Sequence, residues 1–411
     1  MSPSPPIVET EVCILGAGPH GLTMAVHLRR ARPGIRLKVI DPTGHWLAGW
    51  HEQFARAEID SLRSPIVHHP GSDPYELTDF ISLAGLPRSG LPYDPPTTEA
   101  FARFCRSLVA DLGLDQPMAR RASAVRSDGR SVVVETDDGS IRADHLVLAT
   151  NPHRRSIPDW VWPLLGGAKE RFVFGADVDL RQRTDLDGRR VAIIGGGLTA
   201  AHLACGAAAR GADVCLATRR PLTVRDFDTD PGWLGPRFLA DFIDDDDPES
   251  RRRIALAARG GGTIPPWMRS QLDDLEAAGR LRISEGRGPL RGTMDDAGRC
   301  VVTGAGRDAV TADEVWLATG TVPHLGAARY LESLAADVPI LDGLPITGDN
   351  LRLGPHPVYV MGRLAMLALG PAAGNIWGAQ RAATRITEQL TGVDLEHRSV
   401  VPTLRRRRGR G

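Results

Sequence analysis

The sequence predicts an α/β fold built from two Rossmann-like dinucleotide-binding domains. Two glycine-rich turns, at residues 16–21 and 195–200, each lie between a short apolar run and an apolar helical stretch. Two Ala-Thr pairs, Ala149-Thr150 and Ala318-Thr319, each close a later apolar run. The two turns lie about 180 residues apart and the two pairs about 170, so the chain contains an internal repeat.

The first turn reads Gly16-Ala17-Gly18-Pro19-His20-Gly21. In a dinucleotide fingerprint the first glycine permits the tight turn, the second lets the backbone approach a pyrophosphate, and the third lets the helix pack against the strand. The first helical N–H groups then face the phosphates. The next predicted strand ends in Asp41, about 20 residues later, whose carboxylate suits ribose hydroxyls. The alternative is a glycine-rich turn of another α/β protein.

The second turn, Gly195-Gly196-Gly197-Leu198-Thr199-Ala200, is the same fingerprint with alanine in the packing position. Its second predicted strand is followed by Arg219 and Arg220 instead of an acid. Two guanidiniums suit a ribose 2′-phosphate, so this unit is expected to bind NADPH rather than NADH. The alternative is that both arginines are merely solvated.

The composition argues against nucleic acid or an anionic membrane as the main partner, because 50 basic residues balance 50 acidic ones. The sequence contains neither an apolar window long enough for a membrane span nor a secretory signal, so a cytoplasmic protein is expected. Its 5 cysteines include no C-x-x-C pair, so neither zinc binding nor dithiol exchange is expected, and no metal site is predicted. Prolines predict an irregular surface segment over residues 62–96, and Thr97 or Thr98 is expected to cap the helix that follows.

The two fingerprints, the two Ala-Thr endings and a final glycine-led helix after Gly374 together resemble the two-dinucleotide-binding-domain flavoproteins. The resemblance runs from Val12 to about Leu390 and implies that an NADPH domain is inserted in a discontinuous FAD domain. It implies FAD-binding parts at residues 7–160 and 312–392 and an NADPH-binding domain at 187–311. The arginine run Arg405–Arg408 indicates that the basic tail at 393–411 is flexible.

Among these flavoproteins the chain lacks the cysteine pair of the disulfide reductases and looks most like the class B flavin monooxygenases of the lysine and ornithine N-hydroxylase type. A tryptophan- and proline-rich segment after Asp41 and the Gly-Gly-Gly-Leu-Thr-Ala turn carry this resemblance. It implies that NADPH reduces FAD, and that O₂ then forms a C4a-(hydro)peroxyflavin which oxygenates a nucleophilic heteroatom, an amine nitrogen above all, of a small metabolite. Where that family has a histidine after Phe-x-Gly, this chain has Asp177 and Asp179.

The residues expected to bind the two cofactors follow from these motifs. They are Gly16, Gly18, Pro19, His20, Gly21, Asp41, Trp50, Thr150, Gly195, Gly197, Leu198, Thr199, Arg219, Arg220, Thr319, Gly320, Gly362, Gly374 and Asn375.

The catalytic candidates are Arg63, His68, His69 and Asn375. Arg63 can hold a phosphate or a substrate carboxylate, and either histidine can accept a proton from a substrate ammonium. The alternative for each histidine is a loop residue bonded to backbone. Asn375 opens the final helix, whose N-terminal dipole can face the pyrimidine edge of a flavin. The alternative is that residues 370–376 form an ordinary glycine-rich loop. Asp226, Asp228 and Trp233 are candidates to line a pocket for a cationic amine.

The expected partners are a small-molecule substrate and O₂, and the sequence leaves open whether copies form a homo-oligomer. Two other functions stay open at this point. One is an NADPH-dependent reductase or dehydrogenase with a quinone or protein acceptor, and the other is a redox-silent nucleotide-binding protein.

Overall fold

The computed structural model describes residues 7–304 and 309–395. The strands are β1 Ile7–Leu15, β2 Leu37–Asp41, β3 Met118–Ala119, β4 Ala122–Ser127, β5 Val132–Thr136, β6 Gly139–Leu148, β7 His153–Arg155, β8 Phe172–Phe174, β9 Arg190–Ile194, β10 Asp213–Ala217, β11 Leu281–Ser284, β12 Arg291–Met294, β13 Cys300–Thr303, β14 Val310–Ala312, β15 Glu314–Leu317, β16 Thr321–Pro323, β17 Ile340–Leu341, β18 Leu344–Pro345 and β19 Val358–Val360. The α-helices are α1 Pro19–Ala31, α2 Ala48–Arg56, α3 Glu76–Leu83, α4 Thr98–Asp111, α5 Leu165–Ala168, α6 Leu198–Ala209, α7 Pro236–Asp244, α8 Pro248–Arg259, α9 Pro266–Ala277, α10 Glu332–Ala335, α11 Met366–Leu369 and α12 Ile376–Thr391.

The first sheet has the order β3-β2-β1-β6-β5-β4, and β19 pairs with the end of β6. Strands β1, β2, β3, β6 and β19 run parallel, whereas β4 and β5 form an antiparallel extension. Leu15 at the end of β1 lies beside Ile40 and Leu148 at the ends of β2 and β6. In such sheets ligands bind outside the carboxyl ends of the strands, and this is where the first glycine turn lies.

The second sheet repeats the arrangement with the order β11-β10-β9-β15-β8, all parallel. Ile194 at the end of β9 pairs with Leu317 at the end of β15, as Leu15 pairs with Leu148 in the first sheet. A small antiparallel sheet of β12, β13 and β14 follows. The predicted α/β fold with two Rossmann-like units is confirmed.

The two segments that connect these units, here called the passages, run side by side. Strand β7 follows the first Ala-Thr pair and β16 follows the second, and the two strands pair antiparallel from His153↔Pro323 to Arg155↔Thr321. The connections between the units are therefore bonded to each other along a short two-stranded ribbon.

The buried side chains form a large core around the first sheet and two smaller cores on either side of the second. The long insert after β10 divides between them. Leu239, Phe242 and Ile243 of α7 belong to the core of the first unit, whereas Met268 and Leu272 of α9 belong to the second. The boundaries proposed from the sequence assign the whole insert to the second unit, and they stay predictions.

Local expectations are met unevenly. Thr97 caps α4, since its Oγ1 accepts a hydrogen bond of 3.1 Å from the Ala100 N–H. The expectation of an irregular segment over 62–96 is wrong for α3, whose Leu77 and Ile81 are buried against the first core.

The arginine run at 405–408 lies outside the described residues. Within the described part of the chain, none of the helices has the length and apolar character to span a bilayer.

Candidate functional site

The first glycine turn is built by close backbone packing. Gly16 has φ +105°, and a β-carbon there would lie 3.1 Å from the carbonyl carbon of Ala149. A β-carbon at Gly21 would overlap the Gly16 carbonyl oxygen, whereas one at Gly18 would meet no atom within 4 Å. Gly16 and Gly21 are therefore needed for packing, and Gly18 faces open space through which a phosphate can approach the backbone.

Asp41 lies beside this turn at the end of β2. Its Oδ2 accepts a hydrogen bond of 3.1 Å from the Ala17 N–H, and its Oδ1 accepts bonds from the N–H and hydroxyl of Thr43 at 3.0 and 2.6 Å. Helix α1 begins at Pro19 without a side-chain hydrogen bond from its N-cap, Gly18. Its first-turn N–H groups therefore point toward the site where the fingerprint predicts a pyrophosphate.

The start of α12 meets the same turn from the far end of the chain. The Nε2 atom of His20 lies 3.4 Å from the Ala373 carbonyl oxygen, and a β-carbon at Gly362 would lie 3.5 Å from the His20 ring. Burial lowers the pKa of His20, so its imidazole is neutral at pH 7. Asn375 is the N-cap of α12. The structure thus brings together His20, Gly362, Gly374 and Asn375, which were predicted from separate motifs.

Two other predicted cofactor residues face protein groups. The Thr150 hydroxyl lies 2.9 Å from the Tyr330 hydroxyl. Trp50 packs on Phe54 and Phe101, with ring centroids 4.3 and 5.2 Å apart. Both side chains have contacts of their own, and their contact with a cofactor stays a prediction.

The second glycine turn repeats the packing of the first. Gly195 has φ +148°, and a β-carbon there would overlap the carbonyl oxygen of Ala318, the counterpart of Ala149. Helix α6 begins at Leu198 with Gly197 as N-cap and no side-chain hydrogen bond from that cap. Thr319 donates a hydrogen bond of 2.5 Å to the Ser156 carbonyl oxygen on the neighbouring passage.

The surroundings of the second glycine turn differ from those of the first in two ways. Arg219 and Arg220 follow β10 and are exposed, as the assignment to a 2′-phosphate requires. The surface over the turn, however, is covered by another loop: a β-carbon at Gly262 would lie 2.6 Å from the Gly197 Cα and 2.7 Å from its nitrogen.

Arg63 joins the two units instead of facing an open site. Its Nε donates to the Asp226 carbonyl oxygen at 2.8 Å, and its Nη2 donates to that of Arg225 at 2.6 Å. Its Nη1 donates to the Asp228 carboxylate at 2.5 Å and to the Thr263 carbonyl oxygen at 3.1 Å. Every nitrogen of this guanidinium thus has a protein acceptor.

The two candidate histidines differ in their surroundings. His69 is fully buried, with Nε2 3.3 Å from the Pro74 carbonyl oxygen and Nδ1 accepting from the Gly71 N–H at 3.2 Å. These are the backbone bonds of the non-catalytic alternative. Burial lowers the pKa of His68 to about 4, so a neutral imidazole is present at physiological pH. Of the two, His68 stays the candidate to pass a proton on, since a pKa this low makes it a weak base that does not keep one.

Among the predicted substrate residues, the side chains of Asp228 and Trp233 have protein partners, and Asp226 accepts a hydrogen bond through its backbone oxygen. The Asp228 carboxylate faces two guanidiniums, those of Arg63 at 2.5 Å and Arg259 at 3.6 Å. Trp233 packs on Phe238 and Phe242, with ring centroids 5.6 and 5.7 Å apart. Because two cations already neutralise Asp228, its attraction for a further cationic amine is reduced.

Two arginines beside the start of α12 escaped the sequence reasoning. Arg363 donates to the Thr321 hydroxyl at 2.7 Å and to its carbonyl oxygen at 2.5 Å, and Arg259 donates to the Pro371 carbonyl oxygen at 3.1 Å. Burial, with a smaller effect of Arg259, lowers the pKa of Arg363 to about 10. Its position directly after Gly362 was a signal that the sequence offered.

The cysteines are unsuited to disulfide exchange. All five are unpaired, and burial raises the pKa of Cys13 to about 12 and those of Cys205 and Cys300 to about 11. In residues 7–304 and 309–395, no three or more His, Cys, Asp or Glu side chains form a group that could hold a metal ion.

Asp177, which stands where a histidine is usual in the resembling family, has its own partner. Its carboxylate forms a two-point ion pair with Arg155 at 2.7 and 2.9 Å, and that guanidinium lies 4.2 Å from the centre of the Phe174 ring. The aspartate therefore ties the β7 passage to the end of β8.

Solved structures with this fold include amine N-hydroxylases. The cadaverine monooxygenase DfoA of Erwinia amylovora, solved with FAD, has a TM-score of 0.77 at 16% identity over 97% of both chains. The Kutzneria ornithine N-hydroxylase KtzI, solved with reduced FAD, NADP⁺ and L-ornithine, has a TM-score of 0.76 at 17% identity over 93% of this chain and 99% of its own. The fold predicted from the resemblance is confirmed.

The same fold also serves a reductase, the bacillithiol disulfide reductase Bdr (YpdA) of Staphylococcus aureus. Its TM-score is 0.63 at 15% identity, over 94% of this chain and 99% of its own. No curated protein matches the chain. The pyridine nucleotide-disulphide oxidoreductase family model matches residues 10–232, which is more than half of the chain. By that match, and with both glycine turns and their Ala-Thr partners in place, the chain belongs to the pyridine nucleotide-disulphide oxidoreductase family.

Proposed function

We propose that the protein is an FAD- and NADPH-dependent monooxygenase that hydroxylates a nucleophilic heteroatom, an amine nitrogen, of a small metabolite. The observation that carries the proposal is the duplicated nucleotide-binding unit, with an acid after the second strand of one copy and two arginines after that of the other. Over nearly its full length the chain shares the fold of two amine N-hydroxylases.

The residues of the first unit fit FAD. The open space at Gly18 admits a pyrophosphate, the first-turn N–H groups of α1 are free to bind it, and Asp41 lies within one hydrogen bond of the turn. The meeting of His20 with Gly362 and Ala373 places the start of α12 beside this turn, where a ring system attached to the pyrophosphate would extend.

The reaction proposed is R–NH₂ + NADPH + H⁺ + O₂ → R–NHOH + NADP⁺ + H₂O. When bound, FAD would accept a hydride from NADPH and pass the electrons to O₂. The start of α12 would favour negative charge on the bound ring through its helix dipole, and Asn375 would orient it. Only the free amine is nucleophilic, so the substrate ammonium must lose a proton. His68, neutral at pH 7, would accept a hydrogen bond from the ammonium and relay that proton to solvent rather than keep it. Arg63 would act through position, by holding the insert over the first unit.

A reductase is the second candidate, because the family match and the likeness to a disulfide reductase favour it. In such an enzyme the electrons of NADPH would pass to an acceptor other than O₂. The buried, unpaired cysteines argue against a disulfide relay within the chain.

The test is a pair of measurements on the purified, FAD-loaded protein. NADPH oxidation and O₂ uptake are followed with a panel of diamines, amino acids and sulfides, and hydroxylamine products are identified by mass spectrometry. The monooxygenase predicts substrate-dependent O₂ uptake matched one-to-one by hydroxylated product. NADPH oxidation that is stimulated by quinones and yields no oxygenated product would instead establish the reductase. Protein that never retains flavin would rule out both.

A further inference from the structure

The loop Gly260-Gly261-Gly262, named here the triple-glycine loop, lies against the second glycine turn. A β-carbon at Gly262 would lie 2.6 Å from the Gly197 Cα and 3.0 Å from the Gly196 carbonyl carbon. The corresponding glycine of the first unit, Gly18, has no such neighbour within 4 Å of its own β-carbon position. Since this glycine of a fingerprint is the one that a pyrophosphate approaches, the loop covers the pyrophosphate position of the second unit alone.

The same loop also contacts the arginine assigned to the 2′-phosphate. A β-carbon at Gly261 would overlap the Arg220 guanidinium, with Nη2 the nearest atom. The triple-glycine loop therefore lies against both anion-binding parts of the proposed NADPH site, the turn at Gly197 and the side chain of Arg220.

The loop is held in place from both sides. On one side, the Ile264 N–H donates to the Thr223 carbonyl oxygen at 3.0 Å, and the Arg225 N–H donates to the Ile264 carbonyl oxygen at 2.9 Å. On the other, Arg63 of the first unit donates to the Thr263 carbonyl oxygen at 3.1 Å. The side chain of Arg63 is only 12% exposed, and its other donors fix residues 225, 226 and 228.

We infer that the triple-glycine loop is a gate of the NADPH site, that its position over Gly197 and a bound pyrophosphate exclude each other, and that Arg63 is its latch. The inference rests on the proposed function for the identity of the nucleotide. The phosphates and the loop need the same surface, so NADPH binds only to molecules in which the loop has moved away. The apparent dissociation constant for NADPH then equals the intrinsic constant divided by the fraction of molecules whose loop is open.

The glycine at 262 is required for the closed position and not for a left-handed turn. Gly260 and Gly261 have φ +63° and +94°, so a side chain at either would strain the backbone. Gly262 is not among the residues with positive φ, so a substitution there acts through the contact with Gly197. Because that contact is with backbone atoms, a methyl group at 262 displaces the loop.

The test compares NADP⁺ binding to the FAD-loaded wild type, Gly262→Ala and Gly167→Ala, followed by isothermal titration and stopped flow. Gly167 is the matched control, because a β-carbon there meets no atom within 4 Å. We expect Gly262→Ala to bind NADP⁺ about tenfold more tightly than either of the others, because its gate cannot close. In the wild type the observed binding rate should level off with rising NADP⁺ as opening becomes limiting, and this plateau should vanish in Gly262→Ala. Equal or weaker binding by Gly262→Ala would overturn the gate.

A second variant keeps the test independent of how Gly262→Ala folds. Arg63→Met removes the latch and is expected to tighten NADP⁺ binding as well. If Arg63 instead held a phosphate of the nucleotide, the same variant would bind NADP⁺ more weakly, and the latch would be disproved. If NADP⁺ binds none of the proteins, the proposed nucleotide is wrong and the gate falls with it, whereas equal binding by all of them removes the gate alone.

Discussion

Among single residues, Asp41 lies at the end of β2 beside the first glycine turn, where its carboxylate is proposed to bind a ribose. Asp41→Ala is expected to weaken flavin retention at least about tenfold, since hydrogen bonds to a charged group contribute about 1.5–3 kcal/mol each. The measurement is the ratio of flavin to protein absorbance after dialysis. Asp115→Ala is the control, because its carboxylate is bonded to Lys38 at 3.0 Å, outside the first glycine turn. Equal flavin content in the two variants would contradict the assignment of Asp41 to the ribose.

His68 allows a second test of a single side chain. Its pKa of about 4 predicts that activity depends little on this group between pH 6 and 9, because the imidazole stays neutral there. His68→Gln is expected to lower kcat about tenfold and to leave KM for NADPH unchanged, because a base this weak contributes less than the 10²–10⁴-fold of typical general-base catalysis. His69→Gln, which removes backbone bonds of a buried loop, is expected to lower the melting temperature as well. A His68→Gln enzyme with unchanged kcat would exclude the proton-accepting role.

The roles of single residues were predictable only where the partner residue lies close by in the sequence. Gly16 and Gly21 are five residues apart and build one turn, so their roles follow from spacing. The partners of Arg63 lie 162 to 200 residues away, and no local pattern places them beside it. The sequence therefore identified Arg63 as a candidate, but it could not identify the groups to which Arg63 donates its hydrogen bonds.

For the elements, the arginines that follow β10 are proposed to decide whether the second unit binds NADPH or NADH. Arg219→Ala and Arg220→Ala are each expected to raise KM for NADPH about 10–100-fold while leaving KM for NADH nearly unchanged. Steady-state kinetics with both nucleotides measures this, and Arg103→Ala, an exposed arginine of α4, is the control. A parallel rise of KM for both nucleotides would mean that the arginines do not read the 2′-phosphate.

The regular elements follow from hydrophobic periodicity, and the exceptions have a physical cause. The apolar runs at residues 12–15 of β1 and 191–194 of β9 are buried, as are most side chains of α1 and α6, so their pattern is unambiguous. Helix α3 lies among prolines and was missed, because Leu77 and Ile81 are its only buried side chains. Helix α7 joins the first core through Leu239 and Phe242, a contact between distant segments that periodicity cannot assign.

For the whole molecule, the buried histidines make stability depend on pH. Burial lowers the pKa of His27, His68 and His202 to about 4, from an ordinary value of 6.5. Between these values the unfolded chain binds more protons than the folded one, so the free energy of unfolding falls as the pH drops from about 6.5 to about 4. Each histidine contributes up to about 1.4 kcal/mol per pH unit.

Denaturant unfolding at a series of pH values measures this slope. His202→Gln is expected to make it shallower than in the wild type, because the variant lacks one buried histidine. Identical slopes in the wild type and His202→Gln would show that His202 is not protected from protons in the folded state.

The paired passages β7 and β16 have a mechanical consequence. Because both crossings leave the first unit together and are bonded to each other from His153 to Arg155, the two halves cannot be pulled apart along independent tethers. The halves are also joined through the insert, by the bonds of Arg63 and by the packing of α7 on the first core. A rotation of one half against the other would therefore have to break those contacts as well as bend the ribbon.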